Sequence, residues 1–518
     1  MSVRFSKDWA GIAILVFCAT TASAAEFDVT TDIIVQSGQP APDGNGVFSD
    51  TIVFPVLNDA GEVLVWANLL ATADAGPLDD WGFFVADRVE TVKIFRGGEL
   101  SAQGNPLRLD PQSLAPNTPS LSRPYALDGF GRIVLAASDT SAALAVYRGD
   151  GGGREVLVQE GDSTPIGTLT SIAATIPLSL QANDAGQAAF TGFLTVPGQP
   201  SQFGLMRADT GVIDPLLFSG QALPDGRAVA NLAFQTAAFT NAGRAAALLN
   251  TVGTGFDMGI YSGDGASLTK LLHAGEPAAD GLGTLIAGTL FTPQQNSSGQ
   301  MISMIGVDDF SQDYIGFFTG DGSDLSEVTR TGAAAPDGPI FNFTGDFRIN
   351  DNGTIVFGAI VTTAIGNVNQ LLMRRGDVNL VIASAFSVLP APIGLELRDP
   401  FAFALNWRDQ VMFSAFVIAE GVSREALFLF DPDFGLALVA RTGQPFAGDV
   451  LADLEVALPR FPNTARYSNN AHTAFNNLGE QAFYFQLQNG QAGVALASVE
   501  FVPDDSDVLF RDGFESAP

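Results

Sequence analysis

Eight times along this chain an Asn-x-x-Gly segment, or a relic of it, leads into an apolar run. Clear copies are Asn58 to Gly61 before Val63-Leu64-Val65-Trp66, and Asn183 to Gly186 before Ala188-Ala189-Phe190. Asn296 to Gly299, Asn350 to Gly353 and Asn476 to Gly479 repeat the pattern. Three copies depart from it: Asp128 to Gly131 begins with Asp, Thr240 to Gly243 with Thr, and Asn406 to Asp409 lacks the glycine. Successive anchors are 70, 55, 57, 56, 54, 56 and 70 residues apart. A period near 55 marks a repeat architecture, because each unit then buries its apolar face only by stacking on its neighbours.

Two further patterns lie between anchors. One is an apolar stretch, a Gly, then Pro-Asp-Gly, as at Gly38 to Gly44, Gly220 to Gly226 and Gly332 to Gly338. Gly275 to Gly281 carries Ala279 for the proline, and Gly161 and Gly443 open weaker copies. The other is an aromatic or apolar pair followed by Gly-Asp, as in Tyr261-Ser262-Gly263-Asp264 and Phe318-Thr319-Gly320-Asp321. Each interval therefore holds four short runs rich in Val, Ile, Phe and Leu, punctuated by turn residues. In one unit these are 354–361, 370–374, 379–383 and 400–405. No stretch of 12 or more residues keeps helical spacing without a Gly or Pro break.

Four strands per unit predict an all-β chain, a β-propeller of about eight blades closed by pairing of N- and C-terminal strands. Seven blades or an open β-solenoid are the alternatives. Two runs precede the first anchor and two follow the last, so closure is expected to combine two strands from each end. Ring closure would also protect edge strands. The three patterns together resemble uncharacterised tandem-repeat proteins exported by bacteria, across nearly all of residues 30 to 500. That resemblance implies the repeat fold and no activity.

The ends read differently. Arg4 and Lys7, the apolar stretch from Gly11 to Phe17 and the small-residue site Ala22-Ser23-Ala24 form a signal peptide over residues 1–24. The repeat domain is expected over 25–502. Residues 503–518 follow as an acidic linker and a tail with Asp512-Gly513-Phe514-Glu515, a terminal signature resembling those of bacterial exported proteins. Secretion, a periplasmic location or display at the cell surface follows as the expectation, with no membrane span after cleavage. Cys18, the only cysteine, falls within the signal. The mature chain therefore has no disulfide and no thiolate nucleophile.

A formal charge of −31 disfavours nucleic acid and anionic lipid as partners and favours cations such as Ca²⁺. The Pro-Asp-Gly aspartates Asp43, Asp225, Asp280 and Asp337 are the regular acidic feature, and hence the candidate Ca²⁺ ligands. Turn chemistry alone also accounts for them, since Pro presets φ, Asp caps and Gly takes φ > 0. The Asn-x-x-Gly anchors read as hairpin turns whose Asn bonds nearby backbone.

Only His273 and His472 could serve a triad, and no Gly-x-Ser-x-Gly elbow accompanies them. Glu62, Glu160, Glu276 and Glu480 share no motif that would pair two carboxylates for glycoside hydrolysis. Trp66, Trp81 and Trp407 are candidates for stacking on sugars, with Trp66 placed by its strand pattern in the core. No catalytic or cofactor-binding residue emerges. The expected function is a non-enzymatic binding or surface protein for a glycan or protein ligand. A glycan hydrolase or lyase with carboxylates near the propeller centre, and a calcium-stabilised structural module, are the alternatives.

Overall fold

A computed structural model describes residues 26–502 except 74–78, 110–124, 143, 174–179, 233–237, 253–256, 280–282, 287–292, 310–312, 390–392 and 457–473. The signal peptide, Cys18, Asp280, His472 and the acidic tail lie outside the described residues. The described chain forms eight antiparallel sheets, in seven of which strands follow one another in chain order. The first blade is Val47–Leu57, Val63–Leu70, Trp81–Ala86 and Thr91–Arg96, from inner to outer strand. The sixth and seventh follow the same plan, over Gly338–Ile349 to Val378–Ser384 and Glu396–Leu405 to Gly435–Arg441.

Eight apolar clusters show that these sheets close into a ring. Each cluster lies between two successive blades, such as Leu64, Trp66 and Phe83 against Ile133, Leu135 and Tyr147. The last joins Ile34, Ala482 and Val494 of the eighth blade to Phe48, Val63 and Phe84 of the first. Second strands are buried on both faces: Val63 and Val65 point one way, Leu64 and Trp66 the other. That explains why the run after each anchor is continuously apolar rather than alternating.

The seam differs from the two-plus-two arrangement expected from the sequence. Glu26–Gln36 alone crosses to the eighth blade, pairing antiparallel with Ala492–Val502 from Glu26↔Val502 to Gln36↔Gly493. Asp449–Glu455, Gln481–Leu487 and Ala492–Val502 supply the other three strands, while Val47–Leu57 is the inner strand of blade one. The reason is visible in the outer strands. Every blade's outer strand carries one bulged aliphatic residue, namely Ile94, Leu157, Leu216, Leu271, Val328, Ile382 and Val439. Glu26–Gln36 carries the same bulge at Ile34, and all eight bulged side chains are buried.

Four residues after each bulge the backbone turns left-handed. Gly38, Gly98, Gly161, Gly220, Gly275, Gly332 and Gly443 hold that position with φ between 80° and 97°. In the sixth blade Phe386 takes it at φ 64°. A bulge strengthens strand twist, and the left-handed residue after it launches the crossover to the next inner strand. The N-terminal segment thus has the local chemistry of an outer strand, and one plus three follows.

Candidate ligand-binding rim

Because strands alternate in direction, all anchor turns and third-to-outer turns lie on one face. Crossovers and second-to-third hairpins lie on the other. The eight anchors, joining inner to second strands, form a ring about the axis. Their first residues are all buried, from Asp128 at 1% exposure to Asn58 at 7%. Asn350 shows the working of one turn. Its Oδ1 accepts from the N–H groups of Asn352 (3.1 Å) and Thr354 (3.0 Å). Its Nδ2 donates outward, to the carbonyl of Asn406 in the next blade at 2.8 Å.

The same outward bond runs from Asn58 to Asp128 (3.3 Å), Asn183 to Thr240 (3.4 Å), Asn296 to Asn350 (3.0 Å) and Asn406 to Asn476 (3.2 Å). Asn476 closes the circle on the Asn58 carbonyl at 3.1 Å. The anchor Asn is therefore an inter-blade clasp as well as a turn residue. Its amide supplies the acceptor and the donor at once, which neither Asp nor Ser matches in the same shape.

The departures from the motif now have physical accounts. Asp128 has no donor, so Arg132 pairs with its Oδ2 at 2.7 Å and carries the bond forward to Ala185 O at 3.3 Å. The hydroxyl of Thr240 donates back to Arg244 O within its own turn at 3.3 Å. Asp409 replaces the glycine that seven other turns use, and adopts φ 64°. Its carboxylate accepts from Asn350 Nδ2 at 2.7 Å and pairs with Arg375 at 3.0 Å.

A second set of inter-blade bonds uses the next residue of four turns. The Oδ1 atoms of Asn241, Asp351, Asn477 and Asp59 accept the N–H groups of Asp184 (3.1 Å), Ser297 (2.7 Å), Trp407 (3.1 Å) and Asn477 (2.9 Å). The carboxyl of Asp184 is raised by burial and by the neighbouring Asp59 and Asp128 carboxylates.

The exposed second and third positions break the eightfold pattern. Blades one and three to six show Asp-Ala, Asp-Ala, Asn-Ala, Ser-Ser and Asp-Asn. Blade seven presents Trp407-Arg408, blade eight Leu478 and blade two Phe130. Trp407 is 49% exposed, Leu478 52% and Phe130 68%. Arg408 lies over the Trp407 ring at 5.6 Å, and Arg132 over Phe130 at 5.0 Å. By contrast Trp66 is buried, stacks on Phe83 at 5.4 Å and donates to Leu109 O, while Trp81 packs on Trp66 at 5.5 Å.

On the crossover face the three described Pro-Asp-Gly aspartates stay apart, one per loop, each with its own partner. Asp43 meets Arg96 at 3.2 Å, and Asp337 accepts from Gln370 at 2.7 Å. Asp225 accepts from Tyr261 (2.9 Å) and Arg227 (2.6 Å); against the cost of burial, these bonds hold its carboxyl below the usual range. Among the described residues no three His, Cys, Asp or Glu side chains gather as a metal site.

His273 is fully buried, with Nδ1 2.7 Å from Ala274 O and Nε2 3.1 Å from Thr251 Oγ1 and 3.3 Å from Asp257. It sits two residues after the bulge, where other blades place Arg96, Gln159 or Arg330. It therefore ties its strand to Asp257 in the loop before the third strand, as Arg96 ties its own to Asp43. Glu62 and Glu480 bond the anchor Asn side chains at 2.7 and 2.8 Å, and Glu276 pairs with Lys270. Glu160 accepts from the Ile172 N–H at 3.3 Å.

The chain is similar in arrangement to several solved structures, two of them described as propellers. The propeller domain of the Trilobed protease from Pyrococcus furiosus matches at 9% identity and TM-score 0.38, over 76% of this chain and 100% of that one. The Dos1 propeller matches at 10% and 0.38, over 87% and 94%. An oligogalacturonate lyase in complex with manganese matches at 11% and 0.37, over 92% and 98%. No curated protein matches. A model of a family of unknown function matches residues 101–509.

Proposed function

The chain belongs to the DUF7453 family, whose function is unknown, and from that premise we propose that it is an exported, non-enzymatic binding protein that meets its ligand on the anchor face. One observation carries this reading. Eight turns share a buried first residue and a position in the ring, yet large apolar side chains face solvent in only three. Stability does not call for them there: Ala, Ser, Asn and Asp fill the same places elsewhere in the ring. Exposed aromatic side chains on a rigid ring offer a ligand contact area with little ordering entropy. The loop surface varies while the scaffold repeats, as in other binding scaffolds.

The test is a glycan and peptide array probed with the full chain and with a Trp407→Ala/Phe130→Ala/Leu478→Ala triple variant. The expected result is binding that the triple variant loses while its melting temperature stays within about 2 °C of wild type, as exposed sites should. Binding that survives the triple substitution would move the site elsewhere. Turnover of any glycan would replace the reading with the hydrolase or lyase alternative.

A further inference from the structure

Blade seven departs from the repeat at three successive positions, and two of the departures give up something that most other turns keep. At the second position Asp59, Asn241, Asp351 and Asn477 accept a neighbour's N–H. Trp407 has no acceptor to offer, and Asn352 instead donates its Nδ2 to the Trp407 carbonyl at 2.5 Å. At the fourth position a left-handed Asp409 stands where seven turns use glycine, a conformation that disfavours any side chain. The third position carries Arg408, exposed and stacked on the indole, with no carboxylate at ion-pair distance among the described residues. The left-handed Asp409 is itself occupied by Arg375 at 3.0 Å, which also reaches Asp433 at 4.0 Å, so Arg408 is the unpaired cation of this turn among the described residues. Local rules broken together at an exposed site mark function rather than folding.

Resting on the binding reading above, we infer that the Trp407–Arg408 turn recognises a carboxylate-bearing sugar of an acidic polysaccharide. The open face of the indole receives the C–H face of a pyranose ring, and Arg408 receives the carboxylate. Asn352 and Asn477, which bond the Trp407 backbone, hold the platform in place. In a chain with 56 acidic and 25 basic side chains, this turn sets the Arg408 guanidinium over an exposed indole. A uronate would meet favourable charge there and repulsion over most of the remaining surface, which restricts such a ligand to this arc.

The experiment titrates the full chain with alginate oligosaccharides, with dextran oligosaccharides of equal length as the neutral comparison, in calcium-free buffer by calorimetry. Alginate is expected to bind at least tenfold more tightly than dextran, and to weaken steeply with salt. Trp407→Ala should lower alginate affinity tenfold or more, whereas Trp407→Phe should retain most of it. Arg408→Gln should weaken alginate several-fold and flatten the salt dependence without affecting dextran. Equal binding of both glycans, with Trp407→Ala weakening both, overturns the acidic-sugar inference and leaves the binding reading standing. Alginate binding that is indifferent to Trp407→Ala overturns the assignment of the turn. Absence of binding to either glycan overturns the sugar class, and the array with its triple variant then judges the binding reading separately.

Discussion

Replacing Asn350 by Asp changes one atom and tests the inter-blade clasp directly. The retained Oδ1 still accepts from Asn352 and Thr354. The other oxygen would face the Asn406 carbonyl at 2.8 Å and the Asp409 carboxylate at 2.7 Å, where Nδ2 now donates. Two hydrogen bonds of about 1–1.5 kcal/mol each are lost. A second buried negative charge beside Asp409 raises the expected loss to about 3–5 kcal/mol. With an unfolding entropy of about 2.1 cal/mol/K per residue over roughly 480 residues, this corresponds to a melting temperature lower by about 3–5 °C. The introduced carboxyl would titrate above its unfolded value. Its penalty is therefore full above the folded pKa and disappears as pH falls below the unfolded value of about 3.9. Scanning calorimetry at pH 7.5 and 4.5 should show the gap to wild type narrowing at the lower pH. Asp128→Asn is the comparison: it takes the buried carboxylate partner from Arg132 without adding a charge, so it should lower stability by about 1.5–3 kcal/mol with no narrowing of the gap at the lower pH. A variant at Asn350 that melts with wild type at both pH values would refute the clasp.

Three further outcomes follow from the same geometry. Gln481 is fully buried with neither amide atom bonded, at a position where other blades place Val63, Ile133 and Val411, so Gln481→Leu should raise the denaturation midpoint by about 1–3 kcal/mol of stability; a fall would show that the amide is needed. Burial raises the Asp139 carboxyl, but bonds from Ser141, Ser101 and Asn105 outweigh it and hold the pKa at about 2. That stabilisation, about 2 kcal/mol, is present above the unfolded pKa and is lost as pH falls from about 4 towards 2; Asp139→Asn should remove this pH dependence in denaturation curves while lowering stability at pH 7. Deleting residues 26–36 bares the edge of Ala492–Val502 and the Phe48 cluster, and should yield aggregates or oligomers on size-exclusion chromatography; a monomeric, cooperatively melting product would refute the closure.

Blade number, strand content and the anchor turns were legible in the sequence, because they rest on local chemistry repeated at a fixed period. Left-handed positions need Gly, buried strands need branched and aromatic side chains, and turns need Asn or Asp. The one-plus-three seam was legible in principle: Ile34 lies four residues before Gly38, as Val439 does before Gly443. Its meaning appeared only when pairing showed the residue to be a bulge. The anchor Asn could be read as a turn former, but its outward donor finds an acceptor 54 to 70 residues away, or 418 across the seam. The same holds for Trp407, which a strand-and-turn reading places only in a loop. Its exposure, its Arg408 partner and its neighbours from two other blades exist because the ring closes. Spacing along a chain records what each segment does to itself. Which side chains share a surface depends on contacts between segments that are distant in sequence, and those were set by the packing of eight blades around one axis.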